Sequence, residues 1–138
     1  MPPVSPIEVV LKFEQVINSR NPDSISELLT PDSIFIDSLG NRLAGIDKLR
    51  TAWTGYFKMV PDYLISHSFV LSDGETVAMF GTAQGTFSGG GPLKKENFWQ
   101  TPAAWRAVVN NGKVALWQVF ADNEPVREIM RHQSTTTG

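Results

Sequence analysis

Few side chains in this chain suit proton transfer, and the sequence sets them far apart. Asp37 ends the apolar run Ile34-Phe35-Ile36 and precedes a turn over Ser38 to Asn41. A carboxylate there acts as a general base if apolar walls raise its pKa and its proton target lies within hydrogen-bond reach. Its other reading is a strand-end Asp that accepts turn N–H groups. Asp122 follows the strand-forming run Val114 to Phe120. It is either a second acid or the cap where Asn123-Glu124-Pro125 turns toward the C-terminus. Two carboxylates in one cavity would repel, separating their titrations and keeping one protonated near neutrality. His67 alternates with Tyr63, Ile65 and Phe69, where it is a proton shuttle or a hydrogen-bonded core residue. Arg106 alternates with Ala104 and Val108, where it orients an anionic group or neutralises an aspartate. Tyr56 is a candidate donor to a carbonyl or a packed helix-face residue.

Other chemistries lack their residues. Two histidines and no cysteine give a transition-metal site too few ligands, so no metal is expected. Gly89-Gly90-Gly91 is not followed by Gly-Lys-Ser/Thr and opens no helix, so it is no phosphate loop. No serine sits in a nucleophile elbow. No cofactor is implied.

The elements that hold these residues begin with Ser5-Pro6-Ile7-Glu8, a capping box with proline at the first helical position. Val9, Val10, Phe13, Val16 and Ile17 then repeat at helical spacing. Asn21-Pro22 caps a shorter helix that ends by Thr30-Pro31. A strand at 34–37, a turn and a brief strand at 42–44 follow. Gly45 opens a third helix with Ile46, Leu49, Trp53, Tyr56, Phe57 and Val60 on one face, ended by Pro61. Alternation from Tyr63 to Leu71, the turn Ser72-Asp73-Gly74 and the run Thr76 to Phe87 predict one hairpin. Asn111-Gly112 predicts the tight turn of another, over Ala103 to Glu124. Period-2 parity puts Trp117, Val119 and Ala121 on one face and Gln118, Phe120 and Asp122 on the other. Residues 88–100 read as a mobile loop, with Phe98 and Trp99 exposed on it. Residues 125–132 read as one short helical turn, and 133–138 as a frayed tail.

At 138 residues the chain is one domain, long enough for a real core, with 41% hydrophobic and 19% charged residues. A net charge of −2 and no basic cluster beyond Lys94-Lys95 argue against a nucleic-acid partner. No apolar run approaches a membrane span, and none is expected at the start to act as a secretory signal. With no cysteine either, a cytoplasmic location is expected.

Helices followed by hairpins indicate an α+β domain with an antiparallel sheet. The chain resembles the nuclear transport factor 2-like superfamily, in its SnoaL-like and ketosteroid-isomerase-like branch. The residues that carry the likeness are Leu28-Leu29, Phe35-Ile36-Asp37-Ser38-Leu39-Gly40, Gly45 before a Trp/Phe helix, Pro61-Asp62-Tyr63, and Trp117 to Val126. The resemblance implies a cone, with a strongly curved sheet wrapped around three helices. It also implies acid–base chemistry on a small apolar molecule, as in isomerases, cyclases and dehydratases, or binding and assembly without chemistry. Asp37 stands where ketosteroid isomerases carry their base, whereas their two oxyanion donors match Phe13 and Ala104, which cannot donate. Asp122 stands nine residues after Lys113, like an acid of the superfamily's epoxide hydrolases, but their Arg/Asp pair falls on Gly81-Thr82-Ala83-Gln84. SnoaL-type polyketide cyclases, with acid–base residues in a similar cavity, are the nearest catalytic analogy. The residues expected to line the ligand site are Phe13, Trp53, Tyr56, Phe57, Ala104, Arg106, Trp117 and Val119. Apolar residues on the outer face of the sheet imply a homodimer.

Overall fold

A computed structural model describes residues 5–89 and 91–136. Helix α1 spans Pro6–Ser19, its first turn capped by Ser5 Oγ, which accepts from the Glu8 N–H. Its buried stripe is Val9, Val10, Phe13, Glu14 and Ile17. Helix α2, Pro22–Glu27, is capped by Asn21, and α3, Ile46–Met59, follows Gly45, whose φ of 99° favours glycine.

Six strands form one sheet: β1 Leu29–Ile36, β2 Arg42–Ala44, β3 Leu64–Asp73, β4 Thr76–Thr86, β5 Phe98–Asn110 and β6 Lys113–Ala121. Their order is β2-β1-β6-β5-β4-β3, so the sheet is open, with β2 and β3 as its edges, and not a closed barrel. Every neighbouring pair is antiparallel except β1–β6, which runs parallel. The α+β cone expected from the sequence is the fold observed, with a curved sheet over the helices. Helix α1 packs against β3, β4, β5 and β6, and α3 packs against β1, β2 and α2.

The β5–β6 hairpin turns at Asn111 and Gly112, both with positive φ, as the Asn-Gly pair predicts. Three expectations are corrected. Strand β5 begins at Phe98, so Trp99 is a buried strand residue and not part of an exposed loop. The C-terminal turn is a full helix, α4, Glu124–Thr136, which runs into the segment expected to fray; the last two residues lie outside the described ones, as does Gly90 of the glycine run. The alternation of β3 is broken: His67 pairs with Gly81 and Phe69 with Phe80, leaving Ser68 as an inserted residue. The bulge reverses the faces beyond it, so Phe69 is 57% exposed while Val70 packs on the core. Gly81 allows this approach, because a Cβ there would lie 1.8 Å from the Ser66 carbonyl oxygen.

The outer edge of β3, away from β4, is bonded by α1 instead of by a further strand. The Asn18 amide donates to the Ile65 carbonyl at 2.8 Å and accepts from the Ile65 N–H at 2.9 Å, reproducing a strand's pairing. Arg20 Nη1 donates to the Tyr63 carbonyl at 3.1 Å. These bonds fix the chain where it enters the site.

Candidate functional site

A cavity of about 220 Å³ lies between α3 and the inner face of the sheet. Strand β5 contributes Trp99, Thr101 and Trp105, and β6 contributes Trp117, Val119 and Ala121, each set of one parity. Helix α3 supplies Trp53 and Tyr56, three residues apart on one face, and β1 supplies Phe35. Tyr63, Ala83, Asp37, Ser38 and Asn123 complete the lining. All four tryptophans of the chain therefore face this space. Trp105 stacks on Trp117 with centroids 6.3 Å apart, and the edge of Phe13 meets Trp117 from behind at 4.9 Å.

The cavity collects some expected site residues and leaves others out. Asp37, Trp53, Tyr56, Trp117 and Val119 line it. Phe13 is fully buried behind Trp117, and Phe57 is buried and stacked on Trp53 at 5.4 Å, so both support the wall without lining it. Ala104 and Arg106 have the opposite parity to Trp105 and lie on the outer face, where Arg106 Nε donates to Gln118 Oε1 at 3.1 Å. Asp122 follows the outer parity read from the sequence; it is exposed, and its Oδ1 accepts from the Glu124 N–H at 2.9 Å, capping α4. His67 lies outside the cavity, with Nδ1 2.8 and 2.9 Å from the two carboxylate oxygens of Glu14. The two aspartates do not share the cavity, nor does the histidine join Asp37 there.

Asp37 belongs both to the cavity wall and to its own turn. Its Oδ1 accepts from the Leu39 and Asn41 N–H groups, each at 2.9 Å, and its Oδ2 accepts from Asn41 Nδ2 at 3.1 Å. Slight burial pushes the carboxyl up, but the Asn41 and Leu39 donors bonded to it, with the Gly40 N–H nearby, outweigh it and hold the carboxyl below the usual aspartate range. Beside it, Asn123 Nδ2 donates to Ser38 Oγ, joining the β1 turn to the end of β6.

Deeper in the cavity Tyr56, a candidate donor from the sequence, stands beside Tyr63, which sequence reasoning passed over. The rings of Tyr56 and Tyr63 meet at right angles, centroids 4.9 Å apart. Burial pushes both phenols well above their usual pKa, and for Tyr63 the neighbouring Tyr56 adds to the effect. Both are therefore un-ionised donors. Among the described residues neither hydroxyl has a hydrogen-bond partner. Trp99 Nε1, buried in the same wall, also lacks one. Such groups cost free energy when left unpaired, and in enclosed sites they mark where a ligand's acceptor fits. Trp99 was legible in principle, since it shares the parity of Thr101 and Trp105 once β5 is extended back to Phe98. Among the described residues no group of three His, Cys, Asp or Glu side chains is placed to hold a metal ion.

Comparison with known proteins accords with this geometry. The SnoaL-like domain model matches residues 10–117. No curated protein sequence matches. A candidate SnoaL-like polyketide cyclase from Shewanella denitrificans OS-217 superposes with a TM-score of 0.79 at 12% identity, over 92% of this chain and 97% of that one. IdmH, a candidate polyketide cyclase from Streptomyces antibioticus, gives 0.75 at 16% identity, over 92% and 99%. A ketosteroid isomerase-like protein from Catenulispora acidiphila, in complex with trimethylamine, gives 0.75 at 15% identity, over 86% and 88%. At these identities the likeness is one of fold.

Proposed function

The chain belongs to the SnoaL-like domain family, and on that premise we propose that it binds a small, mainly apolar carbonyl compound and moves a proton on the carbon beside the carbonyl. The observation that carries this reading is the joint presence, in one tryptophan-walled cavity, of a carboxylate and two un-ionised, unpartnered phenols. Its volume exceeds the ~150 Å³ that holds benzene and falls below the ~300 Å³ of drug-sized pockets, which suits a ligand of one or two rings. The carbonyl oxygen accepts from Tyr56 and Tyr63, Asp37 takes the α-proton, and the charge passes to the oxygen between the phenols. Where the ligand carries a β,γ double bond, return of the proton from Asp37 to the γ-carbon of the dienolate completes an isomerisation. Attack of the enolate on a second carbonyl carbon of the ligand, whose oxygen then takes the proton, is the cyclase variant. Two structures of this fold are named as candidate polyketide cyclases, and polyketides are carbonyl-rich, which supports this ligand class.

A second reading, binding without turnover, is favoured by the Asp37 carboxyl itself, since a low pKa makes a weaker base. Exchange of the α-protons of 4-methylcyclohexanone in D₂O, followed by NMR, separates the two. Wild type accelerates exchange, and Asp37→Asn, which retains the turn's acceptor, binds the ketone without accelerating it. A saturating ketone whose exchange stays at the solvent rate refutes the catalytic version.

A homodimer through the outer sheet face and a cytoplasmic location belong to the same proposal. Phe69, Phe80, Ala104 and Phe120 pair in one row across four strands, and the three phenylalanines are 57%, 45% and 51% exposed. A continuous apolar row of this kind is self-complementary about a two-fold axis. Phe120→Glu, placing a charge in that row, should shift the light-scattering mass to that of a monomer; a wild-type monomer at micromolar concentration sinks the dimer.

A further inference from the structure

Beside the main cavity lies a second chamber of about 160 Å³, lined by Phe35, Leu49, Ala52, Trp53 and Tyr56. Three of these residues, Phe35, Trp53 and Tyr56, also line the main cavity, so the same three side chains border both spaces. We propose that this chamber is a subsite for the apolar substituent of the ligand whose carbonyl oxygen sits between Tyr56 and Tyr63. The inference rests on the ligand pose just described and adds the class of substrate: a carbonyl-bearing ring carrying a phenyl-sized or short alkyl group.

Four observations carry it. Leu49, Ala52, Trp53 and Tyr56 fall at i, i+3, i+4 and i+7 of α3, so one helix face builds most of the chamber. Apart from the Tyr56 hydroxyl its lining side chains carry no oxygen, and the Trp53 N–H is the only other polar group, so it suits hydrocarbon. Ala52 is the small residue of that face and sits exposed on the border of the space, where a phenyl-sized side chain can reach over it. The partition consists of rings meeting edge-on, Trp53 with Phe35 at 6.0 Å and with Tyr56 at 6.3 Å, and the Tyr56 hydroxyl has no partner to release. A rotamer change therefore joins the chambers without breaking a hydrogen bond. Because Tyr56 borders both, a head group bonded to its hydroxyl stands next to the entrance of the second space. The volume is close to the ~150 Å³ that accommodates benzene.

The test titrates 4-methyl-, 4-propyl- and 4-pentylcyclohexanone against the intrinsic fluorescence of the four cavity tryptophans. In the wild type, affinity is expected to rise about threefold to fourfold per methylene. In Ala52→Phe the propyl-to-methyl affinity ratio is expected to collapse to less than twofold, with Ala52→Leu intermediate at this exposed helix position. A flat series in the wild type, with the methyl ketone still bound, overturns the subsite and leaves the main-cavity reading standing. Equal ratios in wild type and both variants also overturn it, since the tail then lies elsewhere. If no ketone of the series perturbs wild-type emission, the main-cavity reading fails and the subsite with it.

Discussion

Replacing Asp37 with alanine and with asparagine should separate its structural work from its chemistry. The side chain accepts three hydrogen bonds within its turn, two from backbone N–H groups to Oδ1 and one from Asn41 Nδ2 to Oδ2. Alanine removes all three. Charge-assisted bonds contribute about 1.5–3 kcal/mol each when desolvated, but Leu39, Gly40 and Asn41 are exposed, so water replaces most of the lost acceptor. A net loss of about 2 kcal/mol is expected, or ~6–8 °C in Tm for a chain of this length. Asparagine keeps the Oδ1 acceptor and forfeits only the contact to Asn41 Nδ2, so its loss should stay below ~1 kcal/mol. The pH dependence follows from the carboxyl being held below its usual range by those donors. Its contribution is fully present above the unfolded-state pKa near ~3.9, and is lost as pH falls through the lower folded value. Thermal melts from pH 7 to pH 2 check both points: the gap between wild type and Asp37→Ala should close at the acid end. Equal destabilisation by Asn and Ala, or a gap that widens with acid, would refute the account of the turn.

Further expectations concern other named contacts. Tyr63→Phe removes a hydroxyl with no protein partner, so its melting temperature should match or slightly exceed wild type while ketone α-proton exchange falls by about 10²-fold; an unchanged exchange rate removes Tyr63 from the donor pair. His67→Ala strands the Glu14 carboxylate, which is 8% exposed, and should lower stability by about 2 kcal/mol in urea titrations. Adding Glu14→Gln to that variant should recover part of the loss, and strict additivity of the two changes would show that the pair does not interact. Gly81→Ala forces a Cβ to within 1.8 Å of a backbone oxygen and should cost about 3 kcal/mol, whereas Gly55→Ala, inside α3 with nothing within 4 Å, should stabilise by about 0.5–1 kcal/mol; calorimetry on the two variants checks the opposite signs.

The sequence by itself determined the features whose causes are local. Ser5 and Asn21 cap the first two helices, and Asn111-Gly112 supplies the positive φ angles of the last hairpin. The parity of Trp117, Val119 and Ala121, opposite to that of Phe120 and Asp122, was readable because β6 is regular over that stretch. Asp37 was also found from sequence, because a carboxylate between an apolar strand and a turn has only two environments to choose from. It occupies both.

Tertiary structure decided what depends on register between distant segments. A single inserted residue at Ser68 turned Phe69 outward and Val70 inward, and no local pattern announces a bulge whose cause is Gly81 on the facing strand. Trp99 looked like loop because a glycine-rich stretch precedes it, yet pairing with Gly85 makes it strand and cavity wall. His67 and Asp122 belonged to the right residue types but bond to Glu14 and to the start of α4 instead of entering the cavity. Tyr63 became a site residue only when Arg20 and Asn18 of the first helical segment fixed the entry to β3. Side-chain chemistry is written in the sequence, but which groups share a cavity depends on how far each strand slides against its neighbour, and a slip of one residue moves a side chain to the other face.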